Sequence, residues 1–380
     1  MASYAPMNRT RANLLLLVAS AVAAAGIALA VVAASPSSPS SPAAERKPLA
    51  DEVARWSKYL KENPSKDEMW TELKESTSPV LARAEEAVSD GRWYLALQRL
   101  APARANLAAQ AIVEQMPPQK RGDMQAFEAE WKRAGGELAA DLKTPSPDAL
   151  AGVTPAAVRA IGEAALPQVR VFYDASLEYG RNTMAEAGFF YLASARSQKD
   201  FVAFCRSLAR KDSGRQPALR SIAPEIEALE GELLALYRPP ASIDRHAEFI
   251  TSSATLKEAS ELDAWGLRYG ALVRYLQAAL RVDALRTPPP ALEGPALTAR
   301  LAELEKKLDA GGRDDSIGRI FLESAQGDVE HAVAGKKPEI APAVADDVLP
   351  RYFAALEPAK ARPAAPQAAV TVTLVRWPYT

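Results

Sequence analysis

Residues 166–196 read LPQVRVFYDASLEYGRNTMAEAGFFYLASAR, and the spacing of the apolar side chains in this stretch decides the fold class. Val169, Phe172, Leu177, Met184, Phe189 and Leu192 recur with the helical period of 3.6 residues. The spacing predicts one long helix from about Leu166 to Arg196.

The same period continues in both directions. Leu49, Val53, Trp56 and Leu60 mark a first helix. Met69, Trp70, Leu73, Val80, Leu81, Ala84 and Val88 mark the next, and Met124, Phe127, Trp131, Leu138 and Leu142 another. Further helices are expected over 201–208, 218–237, 256–285, 295–308, 316–333 and 341–356. Asn63-Pro64, Pro117-Pro118, Pro145-Ser146-Pro147, Pro239-Pro240 and Pro288-Pro289-Pro290 fall between these segments as breakers. Asp123, Thr154 before Pro155, and Ser316 have the chemistry of helix starts. The expected fold is all-α: a multi-helix bundle or α-solenoid of antiparallel helices joined by short loops.

Both ends of the chain depart from this pattern. Leu14–Ala34 is a run of uncharged residues, LLLLVASAVAAAGIALAVVAA, preceded by Arg9 and Arg11. A helix of that length rises about 30 Å, the thickness of a bilayer's hydrocarbon core. Its length favours a retained N-terminal membrane helix. Val32-Ala33-Ala34 before Ser35 also suits a cleaved signal peptide. In either case the basic residues keep 1–13 in the cytoplasm and send the rest across the membrane. A Ser/Pro-rich tether (35–48) then leads to an extracytoplasmic helical domain (49–357). At the other end a Pro/Ala linker precedes Val370–Trp377, which alternates and is β-branched, as a strand would be. Residues 358–380 are therefore expected to form a tail whose short β-strand docks on its own domain or on a partner's sheet edge.

Asp90–Leu100, DGRWYLALQRL, resembles the second half of a tetratricopeptide repeat. Gly91, Trp93, Ala96, Leu97, Leu100 and Ala103 occupy the positions where that family closes one helix, opens the next and packs the two together. Arg83 stands where a large apolar residue is usual, and Pro102 interrupts the second helix. In Ala187–Ala195, Gly188 and Tyr191 suit the first helix of such a repeat. The resemblance implies a stack of helical hairpins that binds peptides or proteins in a concave groove.

Lysine and arginine total 46 against 47 acids, a net charge of −1 that gives no electrostatic case for nucleic acid. Cys205 is the only cysteine, so no intrachain disulfide forms, and its apolar surroundings read as buried. The two histidines, His246 and His331, are far apart in sequence. The chain lacks the His-Glu-x-x-His, Gly-x-Ser-x-Gly and phosphate-loop signatures. No catalytic residue, metal ligand or cofactor is expected. Adjacent acids such as Glu85-Glu86, Asp314-Asp315 and Asp346-Asp347 do not converge on a helix and read as solvated surface.

Aromatic residues cluster in the long helix and again near Trp265, Tyr269 and Tyr275, on more than one helical face. The residues expected to meet a partner are Phe189, Tyr191, Trp265 and Tyr269, with Val370, Val372, Leu374 and Trp377 in the tail. Abundant alanine and scarce asparagine point to a GC-rich bacterial genome. The expected protein is a helical binding or scaffold protein of the bacterial envelope, single-pass in the inner membrane through residues 14–34, with a protein or peptide partner. An envelope hydrolase using two carboxylates, or a small-molecule or lipid carrier, is the alternative.

Overall fold

A computed structural model describes residues 43–63, 68–210, 215–240, 242–286, 294–332 and 338–358. The expected membrane segment at 14–34 and the expected strand at 370–377 lie outside these residues. Among the described residues no helix is long and apolar enough to cross a membrane, and no strand forms.

The chain folds as an all-helical bundle. The helices are α1 (Ala43–Glu62), α2 (Glu68–Ser89), α3 (Trp93–Glu114), α4 (Pro118–Arg121), α5 (Met124–Glu137), α6 (Ala156–Asn182) and α7 (Ala185–Ser207). They continue as α8 (Ala223–Leu236), α9 (His246–Ala264), α10 (Arg268–Leu285), α11 (Gly294–Ala310) and α12 (Ser316–Glu330). The last helix, α13, covers 341–356 and carries a π-helical turn at Val344–Val348.

Three hairpins form the backbone of the bundle: α2 with α3, α6 with α7, and α9 with α10. They stand in a row because α3 packs on α7 and α6 packs on α10. α8 sits outside α9 at one edge, α1 leans on α2 and α3 at the other, and α12 with α13 closes one side. One continuous apolar core runs from Leu49 to Ala355, with a small satellite under α5 around Leu138 and Tyr173.

Several helix boundaries depart from the periodic reading. Residues 166–196 are not one helix: α6 ends at Asn182 and α7 begins at Ala185. No proline or glycine marks that turn. It is closed instead by Gly180 and Gly188, one near each side. A Cβ on Gly188 would lie 2.8 Å from the Gly180 Cα and 2.6 Å from the Phe127 ring. The two helices thus cross at van der Waals contact, with Phe127 wedged over both. Residues 256–285 likewise belong to two helices, split at Trp265-Gly266-Leu267, where Gly266 takes φ +78°.

The hairpin at Asp90–Leu100 closes as expected at Gly91, with φ +72°, and the Arg92 amide returns to the Ala87 carbonyl at 2.7 Å. Its first helix spans Glu68–Ser89. Pro102 does not interrupt its second helix, which runs unbroken to Glu114. The hydrogen bond lost to the Gln98 carbonyl is outweighed by Leu97, Leu100 and Ala103, all buried. Residues 43–48, expected in the tether, are already helical.

Candidate binding groove

Trp265 is the expected partner residue that the fold leaves at the surface in a recess. It ends α9, and the Gly266 turn directs the chain back into α10. A Cβ on Gly266 would sit 3.0 Å from Pro147, so the loop after α5 rests against this turn. Between that loop, the middle of α6 and the end of α9 lies an open cleft of about 260 Å³. Pro145, Pro167, Val171 and Trp265 line its apolar part. A smaller recess of about 100 Å³ continues it past Gln168 and Leu262. Val171 is 52% exposed there.

The rim is charged, and its carboxylates are ion-paired. Asp174 pairs with Arg170 at 3.5 Å, Asp141 with Lys199 at 2.9 Å, Glu261 with Lys257 at 3.9 Å and Glu258 with Arg274 at 3.1 Å. Each of these groove carboxylates thus has a basic partner.

Three other expected partner residues, Phe189, Tyr191 and Tyr269, are part of the core. Phe189 is buried edge-on against Phe127, with ring centres 5.3 Å apart. Tyr191 is buried and stacks on Tyr179 at 4.5 Å. Tyr269 is buried, donates its hydroxyl to the Pro217 carbonyl at 2.7 Å and carries the Arg159 guanidinium over its ring. Val370, Val372, Leu374 and Trp377 lie outside the described residues. The aromatic residues of 166–196 therefore hold the hairpin together, and Trp265 alone of the four described residues lines the groove.

Asp314 and Asp315 correct the surface reading of the adjacent acids, for both are buried. Asp314 accepts the Ala156 amide at 2.6 Å, and the Ser316 hydroxyl accepts the Ala157 amide at 2.8 Å, so the turn before α12 caps α6. The same device recurs. Glu163, fully buried, accepts the Gly270 amide in the first turn of α10 at 2.9 Å. Glu323 accepts the Leu95 amide in the first turn of α3 at 2.9 Å. Asp263 accepts the Ile222 amide before α8 at 3.2 Å, and Asp328 accepts the Ile340 and Ala341 amides at the start of α13. Burial raises the carboxyl of Glu163 and raises that of Glu323 to about 7. Sequence reasoning missed Glu163, Glu323 and Asp263 because each caps a helix at a separation of 107, 228 and 41 residues.

A second polar assembly ties α8, α10 and α13 together. Arg351 donates to Asp347 at 2.8 Å, to the Tyr275 hydroxyl at 3.1 Å and to Glu232 at 3.1 Å. Arg286 joins Glu232 to Asp283. Burial, then the neighbouring Asp347, raises the Asp283 carboxyl.

His246 is exposed at the start of α9, and its Nδ1 lies 3.1 Å from the Tyr237 hydroxyl. His331 is 3.3 Å from Glu86. Among the described residues no group of three or more His, Cys, Asp or Glu side chains is placed to hold a metal ion. Cys205 is buried, and burial pushes its thiol up to about 12.

No known protein family matches the chain, and no curated protein or solved structure shows significant similarity to it.

Proposed function

We infer that the protein is an extracytoplasmic binding or scaffold protein of the bacterial envelope, and that it engages a protein or peptide partner in the groove beside Trp265. The observation that carries this reading is the groove itself: an open cleft with an apolar side and a charged rim, on the surface of the helical bundle. Such a cleft offers an extended segment an aromatic side and satisfied polar edges. The uncharged run at 14–34 supports attachment to the inner membrane, with the helical bundle outside the cytoplasm. The tetratricopeptide-like residues at Asp90–Leu100 point to the same class of activity, binding by packed helical hairpins.

The test places a photo-crosslinking amino acid at Val171 of the full chain in envelope preparations. The same probe at Lys58, an exposed site on α1, is the control. A discrete adduct formed from Val171 and lost with Trp265→Ala supports the reading. Equal labelling at both positions, or an adduct that Trp265→Ala leaves unchanged, removes the groove from the interaction. A chain ending at Gln367 shows in parallel whether residues 370–377 carry any of the binding.

A further inference from the structure

The end of α13 and the Trp265 cleft lie at the same end of the bundle. Arg220 marks the place where the chain leaves α13. Its guanidinium donates to the Glu357 carbonyl at 3.0 Å and to the Ala354 carbonyl at 3.4 Å. The next residue, Ser221, donates its hydroxyl to Asp263 at 2.5 Å, and the same carboxylate accepts the Ile222 amide. Asp263 stands two residues before Trp265. The length of Arg220 and the width of the α9–α10 turn therefore separate Glu357 from the cleft, on the order of 20–25 Å.

The chain that follows Pro358 reads AKARPAAPQ over 359–367, with Lys360 and Arg362, a Pro-x-x-Pro spacing at Pro363 and Pro366, and no acid. Such a sequence favours polyproline II, which rises about 3.1 Å per residue, so the eight residues to Pro366 span about 25 Å. Pro-x-x-Pro segments dock in aromatic-lined grooves, and the cleft offers Trp265 with Pro145, Pro167 and Val171 beside it. Its charged lining is mostly acidic, Asp141, Asp174, Glu258 and Glu261 against Lys143 and Arg170. Asp174 and Glu261 are held loosely, at 3.5 and 3.9 Å, by the exposed Arg170 and Lys257. Both can take a further cation.

We propose that residues 359–367 of this chain occupy the cleft, with Pro363 and Pro366 against Trp265 and Arg362 beside Glu261 and Asp174. The segment fills the groove until a partner displaces it. This rests on the cleft being the docking site proposed above, and it adds the regulation of that site. Three observations name the occupant: the chain leaves the fold beside the cleft, its length reaches Trp265, and its charge is opposite to that of the lining. Tethering holds the segment at an effective concentration in the millimolar range, so a contact as weak as about 100 μM keeps the cleft about nine-tenths filled.

The experiment uses the full chain in mild detergent with Val171→Cys. The native cysteine, Cys205, is buried, so a thiol reagent reads position 171. Labelling should be slow in the full chain and in a chain ending at Gln367, and about tenfold faster in a chain ending at Pro358. A fluorescent peptide of residues 359–367 should bind the chain ending at Pro358, and bind the full chain about tenfold more weakly because the tethered copy competes. Trp265→Ala should abolish that binding, and Arg362→Glu in the peptide should weaken it about tenfold. Circular dichroism and an unchanged thermal midpoint establish that each variant is folded. Equal labelling of the three chains overturns the proposal, as does failure of the peptide to bind the chain ending at Pro358. Labelling that is already fast in the chain ending at Gln367 assigns the cleft to residues 368–380 and overturns it equally. The groove reading has a separate readout, the envelope adduct from the photo-crosslinker at Val171. An adduct with no peptide binding overturns only the tail as occupant. Peptide binding with no adduct supports the tail and removes only the external partner.

Discussion

The Glu323 carboxylate accepts the backbone N–H of Leu95 at 2.9 Å, across 228 residues of sequence. The bond joins the middle of α12 to the first turn of α3, where amides lack helical partners. Glu163, Asp263, Asp314 and Asp328 repeat the arrangement at other helix starts. Among the described residues local caps are rare, with Asp123 at the start of α5 a clear example. The bundle instead closes many helix starts with acids from a neighbouring element. Those acids are thereby committed to structure.

Glu323 carries the sharpest pH prediction. Burial holds its carboxyl at about 7, above the ordinary value of 4.5 that it regains on unfolding. Between those values the folded chain keeps a proton that the unfolded chain has lost. The contribution is therefore full below about pH 4.5, declines as pH rises, and is gone above about pH 7, a change of about 3 kcal/mol. Glu323→Gln removes that slope and retains an acceptor for Leu95. Its thermal midpoint should match the native chain at pH 5 and equal or exceed it at pH 8. Parallel pH profiles for the two proteins would refute the assignment.

Asp314 and Ser316 together cap α6. Asp314→Ala should cost about 1–3 kcal/mol, since it leaves the buried Ala156 amide unpaired, and Ser316→Ala about 1 kcal/mol. The two sites touch adjacent amides, so the double variant should depart from additivity. Denaturant unfolding of the four proteins measures this, and additive losses would mean that the amides are capped independently.

Gly188 meets the Gly180 backbone and the Phe127 ring. Gly188→Ala should therefore cost about 1–3 kcal/mol by overpacking. Gly136→Ala, where an added Cβ meets nothing within 4 Å, should be neutral or stabilising by about 0.5–1 kcal/mol. Equal effects at the two glycines would show that the α6–α7 crossing is looser than its geometry.

Cys205 should resist thiol reagents in the native chain, because it is buried and its thiolate is disfavoured at neutral pH. Labelling should appear only as the protein unfolds, with the same midpoint as the loss of helical circular dichroism. Rapid labelling of the folded chain would contradict the packing of α7.

The all-α fold was legible because residues such as Val53 and Trp56, or Leu301 and Leu304, face the core with a helical period that needs no knowledge of neighbours. Turns made by local chemistry were legible too: Gly91 closes α2, and Asp123 caps α5. The turn at Asn182–Ala185 was not, because it depends on Gly180, Gly188 and Phe127 meeting in space. For the same reason the aromatic side chains of 166–196 looked available in sequence and are packed within the bundle. Trp265 stood out in the sequence as an aromatic candidate, while Pro145, Pro167 and Val171 join it in the cleft only through folding. By itself the sequence determined helix content, charge balance and the uncharged run at 14–34, since periodicity and composition are properties of neighbouring residues. Only the tertiary structure decided which acids cap which helices and where the groove opens. Each of those depends on contacts between segments far apart in the chain, and those contacts exist only once the core has closed.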